Sequence, residues 1–115
     1  SYVLNNIKFE ESNSICYCII DKNSFIQTDS KTSDVDGFTE FLRTIDGVEI
    51  SFLITEQEDG VYRVNFRSKG KFTVNDVATK FGGGGHKFAA GCKVSNSNVL
   101  EIEKKIVNLL KEKIG

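Results

Sequence analysis

The sequence predicts one α/β domain over residues 1–115. Its core would be a mixed β-sheet of about five strands flanked by helices, with an amphipathic helix at the C-terminus. Three observations lead there. Apolar residues alternate with polar ones around Ile50 and Val64, they recur at helical spacing around Phe41 and Ile106, and the two kinds of segment alternate along the chain. With 115 residues, 39% hydrophobic and 27% charged, the chain can bury one modest core. It has no apolar run long enough for a membrane span.

The elements follow in order. Ile15–Ile20 is a short apolar run that reads as a strand, with FIQTD (25–29) as a candidate partner strand. SDVDGFTEFLRTIDG (33–47) reads as a helix. Phe38, Phe41, Leu42 and Ile45 form its apolar face, Ser33, Asp34 and Asp36 are N-cap candidates, and Gly47 is the stop. In VEISFLITE the alternation of Val48, Ile50, Phe52 and Ile54 predicts a strand with one buried face, and QEDG (57–60) a turn. VYRVNFRS (61–68) alternates again, with Tyr62, Val64 and Phe66 on one side and Arg63, Asn65 and Arg67 on the other. Arg67 should therefore emerge at the strand's end beside Ser68. TVNDVATKFG (73–82) predicts a short helix capped by Thr73, with Asp76 three residues on, and ended by Gly82. FAAGCKV leads into a strand. The final helix carries Val99, Ile102, Ile106, Leu109 and Leu110 on one side, with the Lys113 stem along the rim.

Cys16 and Cys18 share a strand face, but with three cysteines and a single histidine a zinc site is not expected. They read as buried thiols of a reducing, cytoplasmic protein. The start SYVLNNIKFEES has no basic region followed by an apolar stretch, so no secretory leader is expected. The chain contains no methionine, which makes a fragment of a longer polypeptide the expectation.

Charge is uneven. Between Arg63 and Lys93 the bases are Arg63, Arg67, Lys69, Lys71, Lys80, Lys87 and Lys93, and the one acid is Asp76. That segment carries a net +6 in a chain whose total is −1, so a local anionic partner is expected.

Half of the ten glycines and the single histidine fall in FGGGGHKFAAG (81–91). Such a run permits positive φ angles and lets another molecule approach bare backbone N–H groups, which form anion-binding concavities. Neither the Walker-type nor the dinucleotide-type glycine pattern fits, because His86, Lys87 and Phe88 occupy the positions those patterns reserve. His86 can donate to a phosphate oxygen, Arg67 offers a two-pronged donor and Ser68 a hydroxyl. A tight turn around a buried histidine is the alternative reading.

GGGHKFAAG, Gly83 to Gly91, resembles the GGGH-x-x-A-A-G signature of the C-terminal domain associated with DHH phosphoesterases. FRS, Phe66 to Ser68, resembles that domain's second signature, and the likeness runs from about Val3 to the final helix. The resemblance implies a substrate-binding domain: Arg67 and Ser68 fall on the family's phosphate-binding pair, and Gly83, Gly84, Gly85 and His86 on its glycine-histidine loop. It implies a preceding DHH domain in the same polypeptide holding two divalent ions, usually manganese, with phosphoester hydrolysis in the cleft between the domains. The Asp-His-His motif has no counterpart in this chain, so the chain alone is expected to hold no metal and to be inactive. Within the family the features fit best the type that hydrolyses short oligoribonucleotides and 3′-phosphoadenosine 5′-phosphate. A cyclic-dinucleotide phosphodiesterase is the alternative inside the family. A module for single-stranded nucleic acid or transfer RNA is another, and a packing or dimerisation domain with an empty turn lies outside it. The resemblance also allows a homodimer of the full-length protein.

Overall fold

The computed structural model describes residues 6–22 and 32–115. The candidate strand at 25–29 lies outside them. Strand β1 (Lys8–Glu10) and β2 (Ile15–Ile20) are followed by helix α1 (Thr32–Arg43). Strands β3 (Ile50–Glu58) and β4 (Val61–Ser68) precede the short helix α2 (Asn75–Lys80). Strands β5 (Gly84–His86) and β6 (Ala89–Ser95) and the long helix α3 (Val99–Ile114) complete the chain.

The strands form one six-stranded sheet in the order β1-β2-β3-β4-β6-β5. Only β2 and β3 run parallel, and every other neighbouring pair is antiparallel. This is the mixed α/β sheet the alternation predicts, with β2 and β4 at the expected bounds. Two outer strands, β1 and β5, were not expected. Each has three residues, too few for a period to show, and β5 is Gly-Gly-His.

Both faces of the sheet are covered. On one face Ile15, Tyr17, Ile50, Phe52, Ile54, Val64 and Phe66 pack under Val77 and Ala78 of α2 and Ile102, Ile106 and Leu110 of α3. On the other, Cys16, Cys18, Ile20 and Leu53 pack under Val35 and Leu42 of α1 and under Val48. Strand β3 is consequently buried on both sides from Ile50 to Thr55, not on one side as its alternation suggested. Each large apolar side chain so buried contributes about 1.5–3 kcal/mol.

Helix α1 departs from its expected details. It begins at Thr32, which places Ser33, Asp34 and Asp36 inside the helix instead of at its cap. Phe41 is half exposed, and the inward face consists of Val35, Thr39 and Leu42 with Phe38 packed beside them. The turn into β4 is tighter than QEDG suggested: β3 continues to Glu58 through a register shift, leaving Asp59 and Gly60, the latter at φ +75°. At α2 the Thr73 hydroxyl bonds the Asp76 carboxylate instead of capping a backbone amide. Gly82, at φ +83°, ends that helix as expected. Lys113 reaches from the rim of α3 to Asp76, 2.6 Å away, and ties the two helices together. No helix among the described residues is long and apolar enough to cross a membrane.

The aromatic core forms a cross-strand row. Tyr17 stacks on Phe52 at 4.4 Å, and Phe52 tilts against Phe66 at 5.8 Å. Across the rest of the sheet the same row continues as Ala90 and Gly85. Side chains shrink where α2 lies against β5 and β6, and the Gly83 amide donates to the Ala78 carbonyl at 2.9 Å. Burial pushes the Tyr17 phenol up, and its 2.5 Å bond to Glu103 adds to the shift.

Candidate functional site

The register of the sheet places the predicted residues. Ser51 pairs with Arg67, Arg67 with Ala89, and Ala89 with His86. Directly paired residues point to the same face, so Arg67 and His86 share the face that α1 covers, separated by the small Ala89. Two strand spacings put their backbones about 10 Å apart, a span that an arginine and an imidazole can close upon one ligand.

These residues border an open cleft of about 540 Å³ at the end of the sheet. Arg67, Ser68 and Lys69 enter it from the end of β4, His86 to Ala89 from the β5–β6 turn, and Glu40 and Arg43 from α1. Among the described residues it thus holds four cationic side chains and one carboxylate besides His86. Of the seven bases between Arg63 and Lys93, only Arg67, Lys69 and Lys87 border it. Lys71 lies over the Phe72 ring and Lys80 lines a separate groove beside α3. The basic segment is therefore divided over the surface, with one local concentration of charge.

The turn that carries Lys87 and Phe88 is held from outside. Neither residue has a positive φ, so this is not the primed type that hairpins favour. Instead the Val74 amide donates to the Lys87 carbonyl at 2.7 Å, and the Ser68 amide to the Phe88 carbonyl at 2.9 Å. These bonds lock the turn between α2 and the end of β4. His86 and Lys87 are exposed, as is Phe88 at 43%. The tight turn with a buried histidine is thereby excluded.

Arg67 is largely enclosed. Its Nη1 donates to the Phe66 carbonyl at 2.8 Å, while Nη2 lies 3.5 Å from Asp36 and Nε 3.6 Å from Glu40. Glu40 also pairs with Arg43. Helix α1 is seated there because the buried Ser51 hydroxyl donates to the Thr39 carbonyl at 2.9 Å, one residue before Glu40. Ser68 is buried, and its hydroxyl oxygen accepts from the Gly70 amide at 3.0 Å. Its proton is left as a donor.

The structure brings Arg67 and His86 to one face and places Ser68 in the lining of the cleft, although Ser68 pairs with Ile50 and its side chain starts from the opposite face of the sheet. It does not bring Gly83, Gly84 and Gly85 to the lining of the cleft. Gly83 and Gly85 pack against β6, whereas Gly84 has open space where a side chain would stand. Glu40, Arg43, Lys69, Lys87 and Phe88 also line the cleft and were not among the expected site residues.

Comparison with known proteins identifies the family and the fold. Residues 12–115 match the DHHA1 domain. The chain belongs to the DHHA1 family. Over 114 residues this DHHA1 domain is 32% identical to a probable bifunctional oligoribonuclease and PAP phosphatase NrnA of Streptococcus mutans, covering 96% of the chain and 36% of the relative. A cyclic-di-AMP phosphodiesterase PdeA of Listeria monocytogenes is 31% identical over 58% of the chain, which is 10% of that relative. Among solved structures, an exopolyphosphatase-related protein from Bacteroides fragilis superposes with a TM-score of 0.79 at 27% identity, covering 97% of this chain and 32% of that one. The DHHA1 domain spans about a quarter to just over a third of the oligoribonuclease relatives it matches.

Proposed function

We propose that this DHHA1 domain is the substrate-recognition part of a DHH phosphoesterase and that the cleft binds the phosphate of a nucleotide 5′-phosphate. The substrates of the whole protein are then short oligoribonucleotides, 3′-phosphoadenosine 5′-phosphate, or both. The observation that carries this reading is the convergence of Arg67, Ser68, His86, Lys69 and Lys87 on one cleft in a divided basic surface. A few charge-assisted hydrogen bonds of about 1.5–3 kcal/mol each suffice for millimolar to micromolar phosphate binding.

Among the described residues no group of three or more His, Cys, Asp or Glu side chains is placed to hold a metal ion. In this reading the two manganese ions of the reaction belong to a DHH domain preceding this one in the same polypeptide. This chain's own part is to bind and orient the phosphate. A cyclic dinucleotide is the second reading, favoured by the relatives named cyclic-di-AMP phosphodiesterases.

The test is a titration followed by amide NMR, using adenosine 5′-phosphate, 3′-phosphoadenosine 5′-phosphate and cyclic di-AMP. Shifts at Arg67, Ser68 and His86 through Phe88, lost in Arg67→Ala and His86→Ala, are expected for the two linear ligands. Unchanged binding in both variants would refute the site. Preference for the cyclic ligand would select the second reading. Affinity that climbs with oligonucleotide length beyond a few nucleotides, with a steep salt slope, would favour a strand-binding surface instead.

A further inference from the structure

We propose that Glu40 is an internal counter-anion for Arg67, a carboxylate with which an incoming phosphate must compete, and that it sets how tightly the cleft holds its ligand. The proposal rests on the phosphate-site reading above.

Among the described residues Glu40 is the one carboxylate that lines the cleft, beside four cations. Its two oxygens are divided between the arginines on either side, Oε1 toward Arg43 and Oε2 toward Arg67. The contacts of Arg67 with Glu40 and Asp36, at 3.6 and 3.5 Å, are longer than charge-assisted hydrogen bonds. The carboxylates attract the guanidinium without saturating its five N–H groups. Among the described residues its short contact is to the carbonyl of its own strand, which holds it in place as the counter-anion exchanges.

The backbone beneath Glu40 is seated by a buried hydrogen bond, whereas its side chain reaches solvent. Ser51 and Thr39 are fully buried where their bond seats α1, whereas the Glu40 side chain is 47% exposed and the Asp36 side chain 56%. Glu40 can turn to water as a phosphate takes Arg67, or remain and oppose it. Either way its charge lowers ligand affinity, and if it remains it opposes a dianion more than a monoanion, because Coulomb repulsion scales with charge.

The experiment compares wild type, Glu40→Gln, Asp36→Asn and Arg67→Ala in titrations with adenosine 5′-phosphate and its monoanionic methyl ester, read by amide shifts at Ser68, Lys87 and Phe88. Glu40→Gln should bind adenosine 5′-phosphate about three- to tenfold more tightly than wild type, with an equal or smaller gain for the ester. Asp36→Asn should move affinity the same way by less, and it carries the test alone if the amide spectrum of Glu40→Gln is not that of a folded chain. Unchanged or weaker binding in the folded carboxylate variants, with binding still lost in Arg67→Ala, would overturn the counter-anion and leave the phosphate site standing. Wild-type binding that does not depend on Arg67, or no binding in any of the chains, would overturn both.

Discussion

A Cβ built on Gly83 would lie 2.1 Å from the carbonyl oxygen of Gly91 and 2.6 Å from the Cβ of Cys92. A Cβ on Gly85, at φ +140°, would meet the Ala90 Cα at 2.7 Å. Two of the four consecutive glycines are thus required by the approach of β5 to β6, before any ligand is considered. Gly83→Ala should destabilise the chain by about 2–3 kcal/mol, the cost of overpacking against a backbone that cannot yield. Gly84→Ala meets nothing within 4 Å and should stay within about 0.5 kcal/mol of wild type. Urea unfolding with a shifted midpoint and constant slope reads both. Equal midpoints for the two variants would contradict the packing role.

The same glycines show what the sequence could disclose. Strands β2 and β4 were legible because their side chains alternate or run apolar over a full strand length. Strand β5 has almost no side chains to carry a pattern, and its pairing becomes visible only when β6 is placed beside it. Arg67, Ser68 and His86 were legible from the FRS and glycine-histidine segments. Glu40 and Arg43 were not, because their nearness to Arg67 depends on how α1 seats over Ser51, a tertiary fact. The one local trace was an acidic and a basic residue three apart on the polar side of a helix. Cap residues at α1 misled for a related reason: Ser and Asp suit both a cap and a first turn.

Asp76 links α2 to α3 through Lys113. Partial burial pushes its carboxyl up, but hydrogen bonds from Lys113 and Thr73 and the Lys113 charge outweigh this and hold it below the usual carboxylate range. A depressed carboxyl stabilises the fold above its unfolded-state pKa, and that contribution is lost as pH falls through the folded value. Asp76 is half exposed, so screening limits the effect, and Asp76→Asn should cost about 0.5–1 kcal/mol near pH 7. The gap between the two chains should narrow as the pH falls below the usual carboxylate range and through the lowered folded value. A gap that persists in acid would mean that Asp76 acts by shape and not by charge.

The three cysteines are buried, and none of them forms a disulfide among the described residues. Burial pushes the Cys16 and Cys92 thiols up to about 11 and the Cys18 thiol up to about 12. Thiolate is the reactive form, so the native chain should resist a thiol-specific disulfide reagent at neutral pH. All three should react once urea passes the unfolding midpoint. Rapid labelling of any one in the native chain would reveal a local opening of the β2 or β6 region.

Phe88 tests whether the cleft reads more than phosphate. Its carbonyl is fixed by the Ser68 amide, while its ring stands 43% exposed at the cleft. Truncation leaves the backbone bond intact, so Phe88→Ala should change stability by less than about 0.5 kcal/mol. A base stacked on an aromatic ring gains about 1–3 kcal/mol. Phe88→Ala should therefore weaken adenosine 5′-phosphate binding about five- to tenfold and leave inorganic phosphate unaffected. An equal loss for both ligands would assign the ring to shaping the Lys87–Phe88 turn, since distortion there would displace His86 and Lys87 together. No loss for either would leave the base without a contact at this position, and specificity would then have to come from outside the cleft described above.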